Sequence, residues 1–523
     1  MTATLKAASA ISSLTLLSRV LGLIRDSVML HMLGSGWVMG VFNLAWMFPN
    51  LLRRLFGEGA LSAAFVPRFA ATLTRDGRDP ARRLLGGVTG ALLLGLGVVA
   101  AAVCGICLLL PPQWLGLTGG PGVGADERGG LLLTLLAILF PYTVPICMSA
   151  IYAGALNTLG LFALPAAAPV LLNVVWIGAL LAIPALIGTD QVRLAILLSV
   201  ALTAGGVLQV LANLWLLRRK GCAAAPRWPA RGEEARSVFV AMAPTMLGMS
   251  MNQVSSLLDQ LIAEYCVGPG ANTHVYLANR LIQFPHALTS LALATAVFAH
   301  LAVLAVRREF PELRARMHAN LHGTLFLTVP AALGLIAITP EFLAVTFQHG
   351  AFRADDVRVS SWTTMLLVAG LPFLGMTQLY ARALYALGDL RTPARVAMLL
   401  LVVNLGLNLV FVLGVGLGVP GLTLATSLTS GLNALLLRRR FDALCPGARA
   451  PLKPLLRVVG ASLAMAVVVL ALKSVLHAEG RLARALVEVA VPVAAGVAVF
   501  CTAHYALGGR ELSTLLQRLR ARP

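Results

Sequence analysis

The sequence predicts an all-α polytopic membrane protein of about 14 transmembrane helices, built as two parallel-repeat six-helix lobes plus two appended C-terminal helices. Three observations carry this prediction. Of 523 residues, 58% are apolar and 12% charged, against roughly 45–50% and about 25% in soluble proteins, and the mean hydropathy is +0.85. Apolar runs of the ~20 residues that a crossing helix needs recur along the chain. A fifteen-residue motif also occurs twice.

Read between charged or Gly/Pro breaks, the runs fall near 7–33, 37–66, 84–110, 131–154, 163–187, 194–217, 237–264, 272–304, 321–346, 359–386, 394–414, 419–437, 454–476 and 482–506. The first is too long for a signal h-region and carries Arg19 and Arg25 inside it, so it is expected to stay as a membrane helix. With the N-terminus placed inside, alternate connections hold Arg68, Arg75, Arg78, Arg82 and Arg83; Arg218, Arg219, Lys220, Arg227, Arg231 and Arg236; Arg307, Arg308, Arg314 and Arg316; Arg391; Arg438, Arg439, Arg440, Arg449 and Lys453; and the tail Arg510, Arg518, Arg520 and Arg522. The opposite set holds only Arg128, Arg353, Arg358 and Arg481. Cytoplasmic loops keep the Lys/Arg excess, so fourteen spans with both termini cytoplasmic satisfy the rule.

The repeat sets the domains. Tyr152–Ala166 and Tyr380–Ala394 are identical at eight of fifteen positions at an offset of 228, with Tyr, Gly and Pro in register. Each copy closes the fourth span of a six-span unit and opens the fifth. Six is even, so the halves are parallel repeats about an axis along the membrane normal. The expected division is an N-terminal lobe at 1–230, a C-terminal lobe at 231–450, and spans 13 and 14 with a cytoplasmic tail at 451–523.

No connection is long enough for a catalytic domain, and HExxH, GxSxG and Walker motifs are absent. Gly119–Gly124 lacks the Lys-Ser/Thr of a phosphate loop and reads as a flexible outside loop. A membrane-embedded glycosyl transferase would need acid/base residues in a sizeable outside loop, so the expectation is a transporter and not an enzyme. The seven cysteines, Cys104, Cys107, Cys147, Cys222, Cys266, Cys445 and Cys501, lie mostly in apolar runs and read as packing thiols. Cys104 and Cys107 spell CxxC without histidine partners. No metal site and no cofactor are expected.

Lys+Arg outnumber Asp+Glu 41 to 21, and lysine occurs only at Lys6, Lys220, Lys453 and Lys473. Position matters more than number. At 1.5 Å per residue Arg19 lies about 18 Å along the first helix and Arg280 about 14 Å along the eighth, both near the midplane. Arg25 sits further out, and Arg53 lies in the inner half of the second helix. An arginine at the bilayer centre costs about 2.5–3.5 kcal/mol, so the four together cost on the order of 10 kcal/mol unless they face water or partners. They are therefore expected to line a cavity. Arg54 has Glu58 at i+4, a structural helix pair. Asp26 follows Arg25 directly and so points about 100° away from it, with reach to another helix. Arginines without carboxylates on their own helix suit an anionic cargo, phosphate above all.

The segments Ser18-Arg19-Val20-Leu21-Gly22-Leu23-Ile24-Arg25-Asp26, Phe48–Pro67 and Ala278-Asn279-Arg280-Leu281-Ile282-Gln283-Phe284-Pro285 resemble the signature blocks of the MurJ (MviN) lipid II flippase family, within the multidrug/oligosaccharidyl-lipid/polysaccharide exporter superfamily. The resemblance implies a protein that moves lipid II, the undecaprenyl-pyrophosphate-linked peptidoglycan precursor, from the cytoplasmic to the outer leaflet of the bacterial inner membrane by alternating access. It implies that Arg19, Arg25, Arg53 and Arg280 contact the cargo, with Asp26, Glu58, Asn279 and Gln283 as gating or supporting residues. It also implies that spans 13 and 14 form a groove for the polyprenyl tail. The partners implied are lipid II, membrane lipids and proteins of cell-wall synthesis, with no nucleic acid. The chain departs from the family pattern at Gly40, Asn279 and Gln283, where acidic residues are usual. The expected coupling is to membrane potential or to an ion of unassigned identity. Asn404 and Asn408 lie where some relatives bind a cation with a carboxylate included. Two amides alone would hold Na⁺ weakly, so they read as helix-packing residues. His286 reads as a packed histidine. The alternatives are a flippase for another polyprenyl-linked oligosaccharide, which shares the pyrophosphate, and a multidrug/cation antiporter, which should put carboxylates where this chain has arginines.

Overall fold

The computed structural model describes all residues except 1–2, 56–60, 121, 228–237, 241, 243–252, 287–300, 448–450 and 510–523. Among the described residues the chain is helical, and its only strand-like pairing is one antiparallel bridge, Gly120 to Val123. The helices are α1 (Ala3–Leu33), α2 (Trp37–Leu52), α3 (Leu61–Arg75), α4 (Arg78–Leu109), α5 (Ala125–Leu139), α6 (Thr143–Thr158), α7 (Ala163–Ile187) and α8 (Gln191–Arg219). Next come α9 (253–262) with a π-helical turn at Ala263–Val267, α10 (Asn272–His286) and α11 (301–306). The remainder are α12 (Phe310–Phe347), α13 (Ala354–Ala369), α14 (Leu371–Ala386), α15 (Arg391–Leu409), α16 (Val419–Leu444), α17 (Leu452–Val475), α18 (Arg481–Arg484) and α19 (Val491–Ala506).

Among the described residues nine stretches, single helices or helices joined end to end, are long and apolar enough to cross a membrane: Arg78–Leu109, Ala125–Thr158, Ala163–Ile187, Gln191–Arg219, Phe310–Phe347, Ala354–Ala386, Arg391–Gly414, Leu452–Val475 and Ala485–Ala506. Each coincides with one of the expected runs. Over the expected second run, 37–66, the described residues form α2, a π-helical turn and the start of α3, and 56–60 lie outside them. α2 carries Pro49 in its last turn, and Arg53–Leu55 form a π-helical turn. α3 then continues through Pro67 to Arg75, into a stretch whose charges predict an inside loop. A proline removes a main-chain donor and crowds the preceding turn, a common origin of such breaks.

The chain divides into two compact units. The first is Met1–Leu257 with the short segments Gly268–Asn272 and Gly350–Phe352, and the second is the remainder. Within the first, α4 packs on α5 and α6, α5 and α6 pack on α8, and α7 packs on α8 and α1. Within the second, α12 packs on α13 and α14, α13 and α14 pack on α16, and α15 packs on α16. Hydrogen bonds pin the two short segments in the first unit. Ala351 N–H donates to the His31 carbonyl at 2.8 Å, and Asn272 Nδ2 to the Gly40 carbonyl at 2.9 Å. At Gly270, φ is +81° and any Cβ would overlap the Ser35 carbonyl oxygen, so only glycine fits. The Gly-rich loop has order of its own: besides the Gly120–Val123 bridge, the buried Arg128 guanidinium donates to the Thr118 carbonyl.

The two copies of the sequence repeat adopt the same local structure. α6 ends at Thr158 and α14 at Ala386. After each, the backbone closes by the same three bonds: Leu159 to Ala155, Gly160 to Asn157 and Leu161 to Leu156 in the first copy, Leu387 to Ala383, Gly388 to Tyr385 and Asp389 to Leu384 in the second. Gly160 (φ +76°) and Gly388 (φ +81°) take the left-handed conformation that such a helix end demands. Tyr152 is buried in a core with Phe65, Phe69 and Leu85, and Tyr380 in one with Phe441, Met317 and Leu313.

Beyond the shared turn the copies differ. Asp389 accepts from the Thr392 N–H (3.0 Å) and hydroxyl (2.7 Å) in the first turn of α15, and from Arg440 Nε at 2.7 Å. Burial pushes this carboxyl up, and the Arg440 and Thr392 hydrogen bonds outweigh burial and bring it down to about 2. Asp389→Asn is expected to lower stability by about 1–2 kcal/mol at neutral pH, read as a lower melting temperature in detergent. A depressed carboxylate stabilises in full above about pH 4 and loses that contribution as pH falls through about 2, so the gap between wild type and variant should close across that window.

α17 and α19 pack on each other and on α12, through Val458, Ala461, Met465, Val469 and Phe500 against Phe326 and Ala337. Polar ties reinforce the apolar face. Lys473 Nζ pairs with Glu341 at 2.7 Å and donates to the Ala337 carbonyl at 2.6 Å. Arg481 donates to the Val345 and Thr346 carbonyls at 3.0 and 3.1 Å, satisfying acceptors that the C-terminal end of α12 leaves open.

Candidate functional site

In the first unit the charged centre is Arg25 on α1. Its Nε and Nη2 donate to Asp26 Oδ1 at 3.0 and 2.6 Å, and Nη1 donates to Asn173 Oδ1 at 3.2 Å. The guanidinium carbon lies 4.2 Å from the centre of the Trp176 ring. Asp26 is fully buried and the Arg25 side chain is 11% exposed. Adjacency on the helix does not keep the two apart: the long arginine side chain folds back to its neighbour's carboxylate, and burial makes the pairing worth forming. The expectation that Asp26 points away from Arg25 is thus overturned. A cation–π contact of a desolvated arginine adds about 2 kcal/mol. Together these contacts offset much of the cost of burying Arg25.

Sequence reading missed Asn173 and Trp176. The signal was an Asn and a Trp at i and i+3 on an otherwise apolar helix, the spacing that puts both on one face. α7 packs on α1 and turns that face toward Arg25.

The other candidates have separate settings. Arg19 is half-buried on α1. Arg53 sits in the π-helical turn after α2, with Nε and Nη2 on Asn50 Oδ1 at 3.1 and 3.0 Å. Arg54 donates to Gln253 Oε1 at 3.3 Å, and its expected partner Glu58 lies outside the described residues. In the second unit, Arg280 and Gln283 are half-buried on α10. Ala278 and Ile282, four apart, pack into a core with Ala332, Leu367, Val368 and Leu371. Arg280, two residues on from Ala278, therefore points away from that core. Asn279 Nδ2 bonds to its own helix at the Val275 carbonyl (3.0 Å), and His286 Nε2 contacts Gln378 Nε2 at 3.1 Å. Buried Gly40 offers its carbonyl to Asn272. All seven cysteines are free thiols: Cys107, Cys147, Cys222 and Cys445 are buried, and Cys266, in the π-helical turn after α9, is exposed.

A second polar centre lies in the second unit, and here the reading of two lone amides is corrected. Asn408 Nδ2 donates to Asp259 Oδ1 at 2.7 Å and to Asn404 Oδ1 at 3.2 Å, and Thr426 Oγ1 lies 3.4 Å from Asp259 Oδ2. Asn404 also contacts Thr429 Oγ1 at 3.4 Å. The two asparagines are not alone: Asp259, on α9, supplies the carboxylate that their own helix lacks. Asp259, Asn404 and Asn408 are buried, and among the described residues Asn408 Oδ1 accepts no hydrogen bond. Asp259 Oδ2, the Asn408 amide oxygen and the Thr426 hydroxyl are oxygen donors of the type hard cations take, while Asp259 Oδ1 accepts the Asn408 amide N–H. No single helix carries this set, which is why spacing along the chain did not reveal it.

A helical chain with at least nine apolar spans and ionic groups buried inside its units has the makeup of a polytopic membrane protein. The family profile described as lipid II flippase MurJ matches residues 29–490. A probable lipid II flippase MurJ of Haemophilus influenzae is 33% identical over 82% of this chain and 84% of its own length. Among solved structures, a lipid II flippase MurJ in an inward closed conformation superposes with a TM-score of 0.75 at 23% identity, covering 98% of this chain and 99% of its own. An inward-facing multidrug transporter of the MATE family superposes with a TM-score of 0.63 at 13% identity over 84% of this chain and 100% of its own. The chain belongs to the MurJ lipid II flippase family.

Proposed function

We propose that this protein flips lipid II from the cytoplasmic to the outer leaflet of the bacterial inner membrane by alternating access. The observation that carries the reading is the buried arginine on α1, embedded in a chain that matches the flippase family over residues 29–490. Lipid II joins a polyprenyl tail to a pyrophosphate headgroup. Moving an ionised phosphate through hydrocarbon without partners would cost tens of kcal/mol. Arginine side chains inside the protein lower that cost by offering planar, permanently charged donors matched to phosphate oxygens. Arg19, Arg25 and Arg53 are the first unit's candidates and Arg280 the second's. A cation antiporter of the same superfamily would need carboxylates in these places.

Fourteen spans with both termini cytoplasmic complete the proposal. The nine apolar spans and the long but more polar α1 and α16 all fall on runs of that count. The equal packing of α4–α8 and α12–α16, and the identical helix ends at Gly160 and Gly388, support two lobes descended from one repeat. Reporters fused after residue 78 are expected to read inside, and those at 122 and 354 outside. One reversal would break the fourteen-span arrangement.

Asp259, Asn404, Asn408 and Thr426 would hold the coupling cation. Its charge would supply sensitivity to membrane potential, about 2.3 kcal/mol per elementary charge per 100 mV. Depleting the protein and following labelled lipid II by leaflet tests the function: label should stay inside on depletion and return outside on re-expression. Unchanged outer-leaflet label after depletion would refute it.

A further inference from the structure

Asn173 and Trp176 do more than fill space beside Arg25. The Asn173 amide is used at both ends: Oδ1 accepts from Arg25 Nη1, and Nδ2 donates to the Ser18 main-chain carbonyl at 2.9 Å. Its orientation is thereby fixed against the α1 backbone about two turns before Arg25. A carboxylate in its place could not donate to Ser18, and an apolar side chain could do neither.

Trp176 is 1% exposed, and its ring is set nearly edge-on to Trp46 (centroids 5.0 Å apart, planes at 77°) and to Phe42 (6.0 Å, 72°). The indole is therefore held by α2 while one face lies under the Arg25 guanidinium. Among the described residues Trp176 Nε1 meets no hydrogen-bond acceptor, although it is buried. Burying an N–H in this way carries a free-energy cost that phenylalanine would avoid. What tryptophan offers over phenylalanine is the stronger π face for a cation.

Neither contact depends on Asp26. We propose that Asn173 and Trp176 are positioning residues for cargo binding: they keep the Arg25 guanidinium aimed while its carboxylate partner, Asp26, is exchanged for the pyrophosphate of the polyprenyl carrier. The inference rests on the functional reading above, because it takes that pyrophosphate as the cargo.

The test replaces Trp176 in the full-length protein, held in nanodiscs, by tryptophans bearing one to four fluorines. Each fluorine drains the π face while leaving the shape nearly unchanged. Undecaprenyl pyrophosphate is the probe. Its Kd should rise stepwise with fluorine number, about tenfold over the series, beside a modest fall in melting temperature from the weakened resting contact, whereas a purely structural role for the ring would lower the melting temperature and leave the Kd flat. Asn173→Ala should weaken binding by a similar factor. In an Arg25→Lys background, where no planar fork remains to be aimed, both effects should shrink. A flat fluorine series with wild-type binding intact overturns the positioning role alone. Failure of the wild-type protein to bind the probe overturns the functional reading and the positioning role with it.

Discussion

Arg25→Ala is expected to stop lipid II translocation and, alone among the arginine variants, to lower the amount of protein in the membrane. Removing one partner of a buried, hydrogen-bonded ion pair costs about 3–5 kcal/mol, because the other charge stays buried. Here that charge is the fully buried Asp26. The double variant Arg25→Ala/Asp26→Asn separates the two consequences: it should recover membrane levels and remain inactive. Charge loss at the cargo site by the same energy corresponds to a rate loss of at least about a hundredfold. Arg25→Lys should recover only part of it, since lysine keeps the charge and loses the fork. Arg19→Ala and Arg280→Ala should abolish transport at normal protein levels. Measured with the leaflet-resolved assay, full transport by a triple alanine variant at Arg19, Arg25 and Arg280 would mean that these residues pack and do not read cargo.

Asp259→Ala should remove the cation dependence of transport in proteoliposomes, together with its response to an imposed potential. One charge moved through 100 mV is worth about 2.3 kcal/mol, so the potential biases a two-state carrier about fiftyfold, and that bias is what the variant should lose. Thr426→Val, which removes one neutral donor, should weaken the apparent cation affinity and spare the maximal rate. With neutral residues at Gly40, Asn279 and Gln283, no carboxylate stands at those positions to carry protons. Dissipating the pH gradient with nigericin at constant potential should therefore leave transport intact. Transport by Asp259→Ala that still follows the cation gradient would place coupling elsewhere.

Most of the fold was legible because lipid imposes a simple grammar: about twenty apolar residues, then a break, with arginine on one side. The helices Ala163–Ile187 and Leu452–Val475 fall within two residues of the expected runs for that reason. After Trp37, Pro49 and the π-helical turn at Arg53–Leu55 alter the local hydrogen bonding, which an apolar pattern does not report. Repeat identity at Tyr152 and Tyr380 was legible because a buried tyrosine and a left-handed glycine are both hard to replace. The site was legible only in part. Arg25 stood out through its own cost in a membrane, whereas Asn173 and Trp176 gain meaning only once α7 lies on α1. Asp259 stands 145 or more residues before Asn404 and Asn408, and no local pattern links a carboxylate to amides so distant.

The π-helical turn at Ala263–Val267 has a practical consequence. It closes the helix that carries Asp259, and it presents Cys266, the one exposed thiol of the seven, only four residues after Ile262 has returned to the interior. A membrane-impermeant maleimide should therefore mark this chain at a single native position, with no cysteine-free background to build first. Because the labelled turn and the carboxylate share one short stretch of chain, the labelling rate becomes a clock for whatever happens at Asp259. Adding or withdrawing the cation would be seen as a change in thiol reactivity, without cargo, without a transport assay and without altering a residue of the site.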